Sequence, residues 1–119
     1  MSACIRGAIT VKNNEKHEML EATRQMLNEI IDANNINKDD IISITFTATR
    51  DLDAVYPAVA AREIGITQAS LMCVQEMYVK ESLEKCIRVS VMVESNLKQK
   101  DAKHIYLGEA VRLRPDLKR

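Results

Sequence analysis

The residues Cys86 to Val93, CIRVSVMV, alternate strictly enough to define a strand together with its two faces. Ile87, Val89, Val91 and Val93 make one face entirely aliphatic, while Cys86, Arg88, Ser90 and Met92 make the other. A guanidinium among such neighbours is costly unless an anion meets it. The setting recurs with Arg6 in CIRGAITV and Arg114 in VRLRPD. Three arginines in apolar or extended surroundings point to a small protein that gathers cations around an anionic ligand. The spacing leaves open the alternative that each arginine reaches water or pairs with an acid.

The anion site has to be local. Seventeen basic residues balance seventeen acidic ones over 119 residues, which gives no case for nucleic acid or an anionic membrane surface. The length suits one domain, residues 1–119. With 46% hydrophobic residues but no Trp and a single Phe, its core must be aliphatic. Cys4, Cys73 and Cys86 are odd in number and far apart, which argues for free thiols in a reducing compartment. His17 and His104 stand apart from each other and from the cysteines, so no metal-ligand spacing is present. No secretory h-region and no membrane-length apolar run are legible. A cytoplasmic protein without metal, cofactor, membrane or nucleic-acid partner is expected.

Along the chain, a strand is expected from Cys4 to Val11, then a helix capped by Asn14 and running to Ala33. Its apolar stripe is Met19, Leu20, Thr23, Met26, Leu27, Ile30 and Ile31. Asn37 to Asp40 form a turn, and Ile41 to Thr49 a second strand with Ile42, Ile44, Phe46 and Ala48 inward. Pro57 opens a second helix that Gly65 ends. Leu71 to Glu76 is the third strand, KESLEK a short helical turn, and Cys86 to Val93 the fourth strand. From about Gln99 the pattern predicts a short helix and then an extended VRLRP, where Pro115 bars pairing through its nitrogen. The order β-α-β-α-β-β implies an α/β (α+β) fold, a mixed sheet with helices on one face. The second face would meet water or another subunit.

Chemistry by proton shuttle or nucleophile is not legible. Cys73 has no histidine or helix N-terminus beside it. Gly7, Gly65 and Gly108 make no phosphate loop. Glu76, at the end of the run Cys73-Val74-Gln75-Glu76, either projects into a cleft or stands in water. Tyr106 offers a ring with a donor, or a core residue. Guanidiniums, a carboxylate and a phenol suit binding a small polyanion and stabilising charge on it. They do not suit acyl or phosphoryl transfer.

The segments IRGAITV, DLDAVYPAVAARE, CVQEM, LEKCIRV and HIYLGEAVRLRPDL run collinearly over nearly the whole chain. In them the sequence resembles the monofunctional AroH-type chorismate mutases. The resemblance implies a trimeric pseudo-α/β-barrel with sites in clefts between subunits, and a cofactor-free rearrangement of chorismate to prephenate. It assigns Arg6 and Tyr106 to the enolpyruvyl carboxylate and Arg88 to the ether oxygen and a carboxylate. Cys73, mainly through its backbone, and Glu76 would hold the ring hydroxyl, with Val74 and Gln75 between them. Tyr56, Ala58, Leu71, Met72 and Leu113 would form the apolar wall, and Arg62 and Arg114 would add positive potential at the mouth. The chain departs from the family pattern at Tyr56, Val59 and Met72 and in a shorter loop after Gly65. These changes touch substrate capture more than the central set of Arg6, Glu76, Arg88 and Tyr106. Two other classes share such a fold, a metabolite-binding trimer without mutase activity and a purely structural module. Glu76 retained beside Arg88 favours the enzyme.

Overall fold

A computed structural model describes residues 1–113 of the chain. Five strands, β1 (Ser2–Thr10), β2 (Ile41–Ala48), β3 (Ser70–Gln75), β4 (Cys86–Glu94) and β5 (Ile105–Leu107), form one sheet in the order β3-β2-β4-β1-β5. Strand β4 is central and antiparallel to both neighbours, whereas β3 runs parallel to β2 and β5 parallel to β1. Helices α1 (Lys16–Ala33) and α2 (Ala58–Glu63) complete the regular elements, with 3₁₀ segments at Lys38–Asp40, Gln99–Asp101 and Gly108–Leu113.

The aliphatic face anticipated for β4 is the floor of the main core. Ile87, Val89, Val91 and Val93 are buried with Ile5, Ile44 and Phe46 against Met19, Met26, Leu27 and Ile30 of α1. Burying those four β4 side chains contributes roughly 6–12 kcal/mol before chain entropy is subtracted.

Four local expectations are corrected. Helix α1 is capped by Glu15, whose carboxylate accepts the N–H groups of His17 and Glu18 at 3.0 and 2.8 Å. Asn14 is engaged elsewhere: its Oδ1 accepts the N–H groups of Asp53 and Ala54, tying the loop before α2 to the start of α1. Ile42 points outward at 44% exposure. The register shifts between Ile41 and Ser43, so Ile42 is the extra residue of a bulge and Ile41 takes the core position. KESLEK forms no helix; Lys80 and Glu81 make a turn, and Glu81 and Lys85 adopt positive φ values of 66° and 47° that break helical propagation. Finally, Val111 to Leu113 coil into the last 3₁₀ segment instead of extending. Arg114 and Pro115 lie outside the described residues.

Strand β5 is an addition to the anticipated order. Its three residues pair with Gly7, Ala8 and Ile9 and are too few to show a period. The 3₁₀ segment after it crosses to the sheet face opposite α1. There Ala110 packs with Ala8, Cys86 and Tyr106, flanked by Leu83 and Leu113. The second face is therefore covered at one end. At the other it is open, with Arg6, Thr45, Met72, Val74, Ser90 and Met92 exposed.

The crossing depends on Gly108, at φ +61°, a left-handed conformation that side chains disfavour. A Cβ there would lie 2.7 Å from Thr10 Oγ1. That hydroxyl accepts the Glu109 N–H at 2.9 Å and so holds the start of the segment.

Candidate active site

Strand register places five residues in one row across the second face, from its open part to its covered end. Val74 of β3 pairs with Thr47 of β2, Thr47 with Arg88 of β4, Arg88 with Ala8 of β1, and Ala8 with Tyr106 of β5. Directly paired residues share a face, so Arg88 stands between a small hydroxyl residue and an alanine. That leaves its side chain room above the sheet. One row further along lie Met72, Thr45, Ser90 and Arg6. Arg6 is thus a diagonal neighbour of Arg88, with Cα atoms about 7–8 Å apart in ordinary sheet geometry.

Glu76 immediately follows β3. Its N–H donates to the Ala48 carbonyl at 3.0 Å, extending the pairing with β2 by one residue. Its carboxylate Oε1 accepts the Thr47 hydroxyl at 2.6 Å and lies 3.8 Å from Arg88 Nη1. Both charged side chains are about three-quarters buried, at 29% and 25% exposure for Arg88 and Glu76. The separation exceeds a hydrogen bond, so the two charges attract while Glu76 Oε2 and the guanidinium donors keep free valences among the described residues.

Tyr106 is 1% exposed, and its hydroxyl is buried with no hydrogen-bond partner among the described residues. Leaving such a group unpaired costs about 1–3 kcal/mol. Leu113 packs against the cluster that holds Tyr106.

Polar clamps fix the strand that carries Arg88. The Thr49 hydroxyl donates to Asp51 Oδ1 at 2.5 Å and accepts the Cys86 N–H at 3.0 Å. Both Asp51 oxygens accept the Lys85 N–H, at 3.2 and 3.1 Å. Burial pushes the neighbouring Cys86 thiol up to about 11 from an ordinary 9.0, outweighing the positive Arg88 that pulls it down. The loop after Glu76 is pinned from above, where the Arg50 guanidinium stacks 3.7 Å from the Tyr78 ring centroid.

The other anticipated residues are spread over that face, the β3 edge, the main core and α2. Tyr56, Cys73, Val74 and Gln75 border an open hollow of about 630 Å³. Cys73 pairs with Phe46 and so faces the core side of the sheet, leaving its backbone toward the edge. Ala58 is buried in the main core, Leu71 is half-buried against it, and Arg62 is exposed on α2. Met72, 59% exposed, sits on the open face in the row of Arg6. A larger hollow of about 740 Å³ is bordered by Lys12, Lys85, Arg112 and Leu113, and Arg6, Glu76, Arg88 and Tyr106 do not line it. One chain therefore carries two groups: Arg6, Glu76, Arg88, Tyr106 and Leu113 on the sheet face, and Tyr56 with Cys73 to Gln75 at the β3 edge. Thr47, the Thr49–Asp51 clamp and the Arg50–Tyr78 stack were not anticipated as site features. For Thr47 the signal was available, since alternation in IISITFTAT puts it on the face opposite Phe46.

The family model described as chorismate mutase type I matches residues 2–117. Chorismate mutase AroH of Bacillus subtilis (strain 168) is 43% identical over 114 residues, covering 95% of this chain and 90% of that protein. Chorismate mutase AroH of Thermus thermophilus is 41% identical over 114 residues, covering 95% and 93%. Among solved structures, a chorismate mutase from Clostridium thermocellum superposes with a TM-score of 0.88 at 50% identity, over 90% of this chain and 96% of that one. The arginine-bearing sheet, the collinear sequence match and the shared backbone lead to one assignment: this chain belongs to the chorismate mutase type I family.

Proposed function

We propose that this chain acts as a one-domain cytoplasmic enzyme that converts chorismate to prephenate, in the route to phenylalanine and tyrosine. We further infer that the working form is a homotrimer, in which the sheet-face group of one subunit meets the β3-edge group of the next. The observation that carries the reading is Arg88 standing 3.8 Å from Glu76 on a sheet face that the described residues cover only at one end. A dicarboxylate carrying a ring hydroxyl complements that arrangement.

The rearrangement breaks one ether C–O bond as one C–C bond forms within a single molecule. No proton has to move and no covalent intermediate is needed, which accords with side chains that bind and orient. Arg6 and the Tyr106 hydroxyl take the enolpyruvyl carboxylate and hold that flexible arm over the ring. Glu76 accepts the ring hydroxyl, with the Cys73 backbone beside it. Arg88 meets the negative charge that grows on the ether oxygen. It does so without reorganising, because the sheet has already placed it. Tyr56, Met72 and Leu113 exclude water, Ala58 and Leu71 belong to the core behind them, and Arg62 raises the potential at the entrance.

An acceleration of about a millionfold asks for roughly 8 kcal/mol of transition-state stabilisation. One preorganised donor supplies about 3–4 kcal/mol, and conformational restriction supplies the remainder. The test is direct. Purified protein without any cofactor should consume chorismate, followed by its absorbance, and light scattering should return three times the chain mass. Persisting chorismate would overturn the activity, and a monomeric mass the shared site.

A further inference from the structure

Thr47 is the one side chain that contacts the Glu76 carboxylate by a full hydrogen bond among the described residues, at 2.6 Å. It lies in the row between Val74 and Arg88, so its hydroxyl sits on the open face beside both charged groups. A hydroxyl has one proton to donate. Thr47 gives it to Oε1, the same oxygen that faces Arg88 Nη1 at 3.8 Å. As a β-branched residue in a paired strand, threonine has few side-chain rotamers. The sheet therefore dictates where the hydroxyl points, and through it where the carboxylate stands. The Glu76 backbone is held separately, through its N–H on Ala48.

We infer that Thr47 is a positioning residue. Its hydroxyl occupies Glu76 Oε1, holds that oxygen beside Arg88, and turns Oε2 toward the ligand. This rests on the mutase reading for the identity of the ligand, a ring hydroxyl, and on the geometry alone for the positioning itself. Without the Thr47 hydroxyl, the carboxylate has two routes open. It can close the remaining gap to Arg88 and neutralise the donor needed at the ether oxygen, or it can swing into solvent. Either route removes one group from the ligand.

The test compares Thr47→Val and Thr47→Ser in the wild-type chain and in a Glu76→Gln background, assayed with chorismate. Valine keeps the shape and strand preference of threonine without the hydroxyl, and Thr47→Ala serves should the valine variant fail to fold. Losing one hydrogen bond to a charged group predicts a fall of about tenfold in kcat/KM, carried mainly by kcat. Thr47→Ser should stay within about threefold of wild type, because it restores the donor. In the Glu76→Gln background the valine change should cost less than about twofold, since the two residues act as a unit. Equal losses in both backgrounds, or full activity of Thr47→Val beside an impaired Glu76→Gln, would overturn the role.

A second readout does not depend on turnover. The crystal structure of Thr47→Val should show the Glu76 carboxylate displaced from its place beside Arg88; an unmoved carboxylate would refute the positioning whatever the kinetics. A displaced carboxylate in Thr47→Val, when the wild-type protein itself leaves chorismate untouched, would instead uphold the positioning and reject the mutase reading.

Discussion

Arg88 Nη1 and Glu76 Oε1 meet at 3.8 Å although the strands that deliver them are not neighbours, since β2 runs between β3 and β4. The pair is bridged by the sheet, and Thr47 on the intervening strand contacts the acid directly. Two opposite charges held close without a shared hydrogen bond are poised for a third party. A tight internal ion pair would already have spent the guanidinium.

Arg88→Ala should reduce kcat by about 100- to 1000-fold, the usual loss on removing a preorganised donor from a developing oxyanion. Arg88→Lys should recover little of it, because a point charge on a flexible stem does not reproduce the fixed fork of a guanidinium. Steady-state kinetics on both variants checks this, and near-normal turnover of the alanine variant would remove Arg88 from the mechanism.

Arg6 is exposed and sits diagonal to Arg88, suited to clamping a carboxylate in the ground state and the transition state alike. Arg6→Ala should therefore raise KM by about tenfold or more while kcat changes less. An unchanged KM would assign Arg6 a structural role.

Gly108→Ala should destabilise the fold by about 2 kcal/mol, combining left-handed strain with the contact to Thr10 Oγ1. For a chain this size the melting temperature should fall by roughly 5–10 °C. Because the same turn seats Ala110 over Tyr106, activity should decline at temperatures where the variant is still folded. Calorimetry and an assay at matched temperatures would separate the two effects, and an unaltered melting curve would contradict the strain argument.

Cys86 should make stability fall in alkaline solution. Its thiol ionises near 9.0 when unfolded and near 11 when folded. Between those values the unfolded chain releases a proton that the folded chain retains, so unfolding gains as pH rises. The stabilisation is complete below pH 9 and is lost as pH climbs through about 11, amounting to about 2–3 kcal/mol. Urea titrations at pH 8 and pH 11 should show this loss in the wild type and a smaller one in Cys86→Ala. Identical pH dependence in the two proteins would show that the thiol is not the source.

Much of the sheet was legible because its residues obey a period of two. The core sides of Cys86 to Val93 and of Cys4 to Thr10 are buried as alternation requires. The stripe of α1 was equally plain, since Met19, Thr23, Met26 and Ile30 keep helical spacing. Misreadings arose where a long-range contact overrides a local preference. Asn14 is a good cap by propensity, yet its side chain is taken by the backbone of Asp53 and Ala54. Ile42 belongs inside by hydropathy, but a bulge turns it out. KESLEK has helical composition, and a left-handed Lys85 held by Asp51 prevents a helix. For the candidate site, alternation exposed the setting of Arg88, and family resemblance supplied the partners. The row linking Val74, Thr47, Arg88, Ala8 and Tyr106 needs strand register, which a linear sequence does not display.

Strand β4 has a hydrogen-bonded neighbour along each side and is clamped at its first residue by Thr49. Local opening begins at frayed edges and short flanking strands, so the amide protons around Arg88 should be among the slowest to exchange with deuterium. The group expected to meet the fleeting charge thus rides on the least yielding part of the molecule. Substrate entry and product exit can then disturb the periphery while the guanidinium proposed to act in catalysis keeps a steady anchor.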